Sequence, residues 1–268
     1  MGTTVERAAE VENRCRQAYI ETREIWDNFT GNPEFVTHHL GFRILESPPC
    51  LRPDLLILST NSGMDDTDPP NERDEWPDRC LYNAANEPEF YLGAEKLRQY
   101  GRPADWRLCL RLSQLFGQDH QLYLANSVAL NMFFFKSPYA GAKNWAGNST
   151  SIRNTLEAYC KSRTLALIHM IRPRAIVTLG LQPFDALSGD GAESLLFRGV
   201  DDHSCMLKRK LSNGIPTLGM CHPASVWLAD KDRQRIRAGL RDFLDRNLHA
   251  NSLPIECEEF SSSERENG

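Results

Sequence analysis

Four short apolar runs, separated by stretches with helical patterns, constrain the fold of this chain more than any other feature. The runs have the length of β-strands and lie at Leu55–Thr60, Leu122–Val128, Ala175–Gly180 and Pro216–Met220. Between the first two runs, Leu108, Leu112 and Leu115 recur at the spacing of one helical face. Strands that alternate with helices favour a parallel sheet that is covered on both faces. We therefore predict an α/β fold, a three-layer α/β/α sandwich with a central four-stranded parallel sheet.

Further helices and the end of the domain can also be predicted. Residues 4–29 have apolar positions among charged residues, which is typical of an amphipathic helix. Asn148–Ser151 provides residues that cap helix N-termini, and Pro173 ends the helix that follows. Residues 231–247 have a basic amphipathic pattern. We predict one domain over residues 1–250, followed by an acidic, disordered tail.

The formal net charge of −5 hides an uneven distribution. Residues 64–90 contain nine acidic and two basic residues, and residues 251–268 contain five glutamates and one arginine. The rest of the chain therefore carries a net charge of +6. A mildly basic scaffold suits a partner with a phosphate backbone. A mixed, solvated surface explains the same charge equally well.

The composition favours a globular intracellular protein over secreted, membrane or metal-cluster classes. Apolar residues make up 41% and charged residues 25% of the 268 residues, which is enough for a full core. No run approaches about 18 consecutive apolar residues, and residues 1–13 lack the pattern of a signal peptide. The eight cysteines include no Cys-x-x-Cys pair, which disfavours zinc ribbons and iron–sulfur sites. We expect a cytoplasmic protein with reduced thiols and no membrane partner.

Polar side chains follow or lie near the ends of three predicted strands. They are Asn61 after the first strand, Asn126 within the second and His222 after the fourth. In an open parallel sheet, ligands bind beyond the carboxyl ends of the strands. We therefore expect these two amides and one imidazole to meet in one site. Asn131, five residues beyond Asn126, is a weaker alternative.

Four motifs resemble, in the same order, those of the uracil-DNA glycosylase superfamily. Leu56–Gly63 resembles its first strand and following loop, and Leu124–Val128 resembles its strand with a base-reading asparagine. Pro173–Gly180 is similar to its third strand, and Cys221–Ser225 is similar to its His-Pro-Ser loop. Together the four motifs extend the resemblance over roughly residues 50–245.

The motifs also depart from the family pattern. Ser59 and Ser62 stand in place of a glycine and a proline in the first motif, and Ala224 replaces the serine after His-Pro. The acidic residue of the Gly-Gln-Asp-Pro-Tyr branch and the cysteines of the iron–sulfur branches are not matched. The resemblance implies a divergent, monofunctional DNA glycosylase, which flips out a pyrimidine base and hydrolyses its N-glycosidic bond. It implies DNA as the partner, no metal or organic cofactor, and a monomer.

The resemblance gives each residue of the strand-end set a role in base removal. His222 would donate a hydrogen bond to the leaving base, where negative charge develops in the transition state. Asn61 would position the attacking water, because an amide can both donate and accept. Ser62 and Gly63 would complete the substrate-binding loop beside it. Asn126 would read the Watson–Crick edge of the flipped base.

Further residues are predicted to stack on the base and to contact the DNA. Phe90 is our choice for the stacking ring, ahead of Tyr82 and Tyr91. Val226 or Trp227 would fill the gap that the flipped base leaves in the duplex. The residues expected to contact phosphates are Lys136, Lys143, Lys208, Arg209 and Lys210.

The sequence leaves the substrate base and the protein class open. Both uracil and a modified cytosine fit the motifs. One such cytosine is the glucosylated hydroxymethylcytosine of phage DNA, whose sugar could be bound by acidic residues of 64–90. Removal of this base would serve as an antiviral defence. Asp65 and Asp66 could instead supply a general base. One alternative is a non-catalytic glycosylase-like module that recognises modified or single-stranded DNA. Another is an unrelated α/β hydrolase of nucleosides, although the chain has neither a Gly-x-Ser-x-Gly elbow nor a P-loop.

Overall fold

The computed structural model describes most of the predicted domain. The described residues are 4–35, 40–62, 76, 107–117, 121–137, 149–190, 192–198, 206–223 and 230–248. Their helices and strands, in chain order, are α1 (Thr4–Asn28), β1 (Leu55–Ser59), α2 (Arg107–Phe116), α3 (Gln121–Ala125), β2 (Ser127–Asn131), α4 (Thr150–Ile171), β3 (Ala175–Leu179), α5 (Leu181–Ala186), β4 (Ser194–Arg198), β5 (Met206–Ser212), β6 (Ile215–Met220) and α6 (Asp230–Leu248). The chain is thus a mixed α/β protein.

The strands form one sheet with the order β2-β1-β3-β6-β5-β4. The first four strands in that order pair in parallel, which confirms the predicted parallel arrangement. The prediction of four strands is wrong, because β5 and β4 extend the sheet to six as an antiparallel addition to β6. Asn213 and Gly214 connect β5 to β6 with φ angles of 52° and 76°. Two consecutive positive φ angles are typical of a tight hairpin turn, so this Asn-Gly pair was the sequence signal for the extra strand.

The second strand lies further along the chain than predicted. The predicted range Leu122–Val128 covers the one-turn helix α3 and only the start of β2. Asn126 N donates to Leu122 O at 3.1 Å, which completes the helical turn before the strand begins. Apolar residues continue through Phe135, so periodicity alone did not locate the strand within this long run.

The remaining predicted elements are confirmed within one or two residues. Helix α4 begins with Ser149 as N-cap, whose Oγ accepts from Ile152 N at 3.4 Å. It ends at Arg172, which has a φ of 55° and precedes Pro173. The predicted apolar face of α6 is buried, at Ile236, Leu240, Phe243 and Leu244.

Two apolar clusters cover the two faces of the sheet. On one face, residues of α1 and α4 pack with Leu56 and Leu58 of β1. On the other face, residues of α2 and α6 pack with Leu55 and Ile57. All five residues of β1 are buried, as is usual for a strand inside a parallel sheet. The sheet therefore has helices on both sides.

Residues 42–46 run along the outer edge of β2. Leu45 forms an antiparallel bridge with Leu130, and Phe42 forms one with Phe135 beyond the strand end. Glu46 N donates to Ala129 O at 2.8 Å. This segment therefore covers the edge that β2 would otherwise leave open.

Part of the predicted organisation lies outside the described residues. The tail 251–268 and nearly all of the acidic segment 64–90 are in that part, so the division into domain and tail stays a prediction. Trp76 is described, and it packs on α1 with its ring centroid 5.5 Å from that of Tyr19 and 4.1 Å from Arg16 Cζ. None of the described helices is both long and apolar enough to cross a membrane.

Candidate functional site

The carboxyl ends of the four parallel strands lie side by side. We call this the carboxyl edge and define it by Asn131 at the end of β2, Asn61 after β1, Gly180 after β3 and His222 after β6. Since neighbouring strands lie about 4.8 Å apart, the strands leading to Asn61 and His222 are separated by about 10 Å across β3. Two of the three residues predicted to meet therefore lie at the same edge.

Backbone contacts hold the carboxyl edge together beyond the strand ends. Met132 N donates to Ser59 O at 2.8 Å, and Gly180 N donates to Met220 O at 2.8 Å. Gly180 has a φ of 104°, and a Cβ there would lie 3.4 Å from Thr60 Oγ1. A glycine suits this position because the backbone conformation disfavours side chains. The turns that follow the strands at the carboxyl edge are therefore joined to neighbouring strands by hydrogen bonds and close packing.

The amide of Asn61 is fixed by two hydrogen bonds. Its Nδ2 donates to Ser137 Oγ at 3.0 Å and to Ser62 O at 3.2 Å. Ser137 N in turn donates to Ser62 O at 3.4 Å. Since a backbone carbonyl can only accept, the amide nitrogen must face it and the orientation of the amide is determined. The amide oxygen Oδ1 is an acceptor, the kind of group that can orient a water molecule through its O–H.

His222 is half-buried and lies two residues beyond the end of β6. Arg111 of α2 donates from Nη1 to Pro223 O at 3.0 Å, which ties the loop after β6 to the helix. Burial lowers the pKa of His222, and the nearby Arg111 guanidinium lowers it further, to about 4. The imidazole is therefore neutral at physiological pH and can donate from one ring nitrogen while it accepts at the other.

The low pKa of His222 makes folding stability depend on pH in a defined window. Since the pKa is about 4 in the folded protein and about 6.5 for an ordinary histidine, the unfolded chain binds more protons between these values. Neutral His222 therefore makes its full contribution to the free energy of unfolding above pH 6.5, and this contribution is lost as the pH falls toward 4. We expect His222→Gln to remove this component of the pH dependence, measured as the urea midpoint from pH 4 to pH 7. If the urea midpoint changed equally with pH in the wild-type protein and in His222→Gln, the assignment of this pH dependence to His222 would be wrong.

Asn126 lies at the opposite edge of the sheet, so the prediction that it meets Asn61 and His222 is wrong. Leu55 and Ser127 are partners at the amino ends of β1 and β2, and Asn126 precedes them. A strand rises about 3.3 Å per residue, which places Asn126 about 16 Å from Asn131 along the chain. The strand-end asparagine is therefore Asn131, the weaker alternative of the sequence analysis.

Asn131 is fully buried and faces the α2 side of the sheet. It alternates with Val128 and Leu130, which pack on the α1 side, and its partner in β1 is Ser59. Asn131 Nδ2 donates to Glu46 Oε1 at 2.9 Å and to Arg43 O at 3.3 Å. No sequence pattern connected Arg43 and Glu46 to this site.

The predicted phosphate contacts are only partly compatible with the structure. Lys136 is 1% exposed, so its side chain does not reach the surface, and the structure gives the predicted phosphate contact no support. Lys208 Nζ lies 2.7 Å from Glu193 Oε1. Lys210 Nζ donates to Phe184 O at 2.8 Å and to Leu187 O at 2.9 Å, which caps α5. Both lysines hold the protein together and are poor choices for DNA contacts.

Arg209 is exposed, but it lies on a different surface. Its Nε donates to Ser194 Oγ at 3.0 Å, and its side chain lines a groove of about 430 Å³ between the β4–β5 hairpin and α6. Other residues that line the groove include Leu196, Leu211 and Phe243. The groove lies beyond β6, whereas Asn61 and Asn131 follow β1 and β2. Arg209 is therefore not part of the carboxyl edge.

The other predicted site residues cannot be assessed. Gly63, Phe90, Val226 and Trp227 lie outside the described residues, as do Asp65, Asp66, Tyr82, Tyr91 and Lys143. Their roles in binding the base and the duplex stay predictions. Among the residues that are described, no three His, Cys, Asp or Glu side chains are grouped so as to hold a metal ion.

Comparison with known proteins adds no assignment. A scan against models of known families and a search of curated proteins both give no match to this chain.

Proposed function

We propose that the protein is a monofunctional DNA glycosylase, which flips out a pyrimidine base and hydrolyses its N-glycosidic bond to leave an abasic site. The observation that carries the proposal is the position of Asn61 and a neutral His222 at one edge of a parallel sheet. Base removal needs a donor for the leaving base and a positioned water molecule. These two side chains can supply one each.

The leaving base takes up negative charge, and His222 is suited to stabilise it. A neutral imidazole keeps one N–H that it can donate to the base, and a fixed donor needs little reorganisation. The contact between Arg111 and Pro223 holds the loop that carries His222. Removal of one donor of this kind typically costs about 3 kcal/mol of transition-state stabilisation.

A water molecule held by Asn61 would add to C1′ of the sugar as the bond to the base breaks, and the proton that the water loses would pass to the departing base anion. An oxocarbenium-like sugar is strongly electrophilic, so the attack needs orientation more than a strong base. The hydrogen bonds from Asn61 Nδ2 to Ser137 and Ser62 orient the amide for this purpose. We therefore assign Asn61 to the positioning of water.

Recognition of the base falls to Asn131 instead of Asn126. Asn131 ends β2, next to the strand that leads to Asn61. Its side chain lies on the face of the sheet that α2 covers, the helix that also contacts the loop of His222. Helices on both faces of the sheet support the finer fold proposal, a three-layer α/β/α sandwich of the uracil-DNA glycosylase kind.

The first turns of α6 offer the DNA backbone two basic side chains, next to the exposed Asp230. This helix starts eight residues after His222, and Lys231 and Arg235 are exposed there. We expect Lys231→Glu with Arg235→Glu to weaken DNA binding and to reduce the dependence on salt, because fewer counterions are released. Arg7→Glu with Arg14→Glu, at two exposed arginines of α1, makes the same change in charge and is the matched control. Equal affinities of both variants in fluorescence anisotropy at two salt concentrations would contradict this interface.

The substrate is uracil or a modified cytosine, with glucosylated hydroxymethylcytosine of phage DNA as the antiviral case. Incubation with uracil-containing DNA and with glucosylated phage DNA, followed by counting of abasic sites, tests both. We expect base release from one of them that falls about 100-fold in Asn61→Ala and is unchanged in Asn126→Ala at the opposite edge. DNA binding without base release would instead favour the non-catalytic recognition module, and release from free nucleosides alone would favour a nucleoside hydrolase.

A further inference from the structure

One oxygen atom at the carboxyl edge is buried without a hydrogen-bond partner. Asn131 is fully buried, and its Oδ1 makes no hydrogen bond within the part of the chain that the structure describes. Nearly all buried polar atoms in folded proteins are hydrogen-bonded, so an unpaired carbonyl oxygen calls for an explanation. A bound ligand that brings its own donor would provide one.

The nitrogen atom of the same amide is already held. Asn131 Nδ2 donates to Glu46 Oε1 and to Arg43 O, and both of these atoms can only accept. The amide therefore cannot be reversed without losing both bonds. Glu46 is 5% exposed, and its Oε2 lies 3.4 Å from Arg43 Nη1, so the carboxylate is itself held in position.

The backbone fixes Glu46 relative to Asn131. Glu46 N donates to Ala129 O at 2.8 Å, and Asn131 N donates to Ile44 O at 2.9 Å. These bonds attach the segment that carries Glu46 to the strand that carries Asn131. Two paired backbone segments therefore fix the positions of Glu46 and Asn131. The orientation of the Asn131 amide does not depend on a flexible side chain alone.

We propose that Glu46 determines the base specificity of this site, by orienting Asn131 so that the site offers a base one acceptor, Oδ1. The inference rests on the proposed function and deepens it. An acceptor selects bases with a donor at that position, and both the N3–H of uracil and the exocyclic amine of cytosine are donors. The site therefore accepts uracil and cytosine derivatives alike, and it rejects those in which the donor is methylated.

Pairs of free bases that differ in this donor test the wild-type protein directly. The isomers 1-methyluracil and 3-methyluracil have the same size, but only the first retains N3–H. 1-Methylcytosine retains the N–H donors of its exocyclic amine, and its N4,N4-dimethyl derivative has lost them. We expect the donor-bearing member of at least one pair to inhibit base release roughly tenfold more strongly, the effect of one hydrogen bond. Equal inhibition within both pairs, or none by any of the four bases, would overturn the inference.

Glu46→Gln tests the role of the carboxylate. With glutamine at position 46, a reversed Asn131 amide regains a hydrogen bond there, because the glutamine amide nitrogen can donate to Asn131 Oδ1. Reversal then costs only the bond to Arg43 O, and the reversed amide offers Nδ2 to the base. We expect the tenfold discrimination to fall toward unity in Glu46→Gln and to persist in Glu46→Asp, which keeps the carboxylate. Glu12→Gln makes the same charge change on the surface of α1 and should leave the discrimination intact.

The outcomes separate this inference from the proposed function. Base release with unchanged discrimination in a folded Glu46→Gln would refute the role of Glu46 alone. If Glu46→Gln does not fold, loss of discrimination in Glu46→Asp would refute that role. No base release by the wild-type protein from either DNA would refute the proposed function, and the inference with it.

Discussion

His222→Ala is expected to reduce the rate of base release by about 10²–10³-fold with little change in DNA binding. The imidazole is the donor that meets the charge on the leaving base, and such donors act mainly in the transition state. Its low pKa, caused by burial and by Arg111, keeps it neutral over the pH range of most assays. Single-turnover kinetics with saturating protein measure the chemical step without the contribution of binding.

Two further variants make the His222 result specific. His222→Gln retains an amide donor, so we expect a smaller loss than in His222→Ala. His169→Ala changes an exposed histidine on α4 and should have no effect. A loss below threefold in His222→Ala would mean that the leaving base is stabilised elsewhere.

Phe184→Ala is expected to lower the free energy of unfolding by about 3–5 kcal/mol, the usual range for a large aromatic residue in a core. Phe184 is fully buried, and its ring packs on the backbone of β6, where a Cβ at Gly219 would lie 2.5 Å from the ring. Lys210 Nζ lies 4.4 Å from the ring centroid. The ring therefore links α5 and β5 to β6, the strand that leads to His222.

Urea denaturation measures the effect of Phe184→Ala, and Leu122→Ala provides the control. Leu122 is 66% exposed, so its truncation should change the free energy of unfolding by less than about 0.5 kcal/mol. The two variants should keep similar m-values if the transition stays two-state. Similar stabilities of both variants would contradict the packing of Phe184 on β6.

Local patterns in the sequence were sufficient for most of the helices and the parallel strands. The buried run of β1 and the apolar face of α6 are long or strongly periodic, and both are confirmed. The β4–β5 hairpin was missed because Lys208, Arg209 and Lys210 interrupt the apolar pattern of β5. Charged residues fit this strand, because Lys208 and Lys210 find partners outside the core.

The sequence predicted part of the site. Local sequence patterns locate the ends of strands, but they do not show which side chains become hydrogen-bond partners in the folded protein. Asn61 and His222 follow confirmed strands, and the rule for parallel sheets brought them to one edge. A shift of five residues in β2 was enough to exchange Asn126 for Asn131, because the two positions lie at opposite edges. Glu46, which holds Asn131, is 85 residues away in the sequence, and only tertiary pairing brings it there.

The binding of a nucleobase at the carboxyl edge can be measured directly by NMR of side-chain amides. Titration with uracil and with 5-hydroxymethylcytosine should shift the signals of Asn61 and Asn131, together with the ring signals of His222. The amide of Asn126 lies at the other edge and should stay unchanged. A shift of Asn126 with no change at Asn61, Asn131 and His222 would contradict the central claim that this edge of the sheet binds the base.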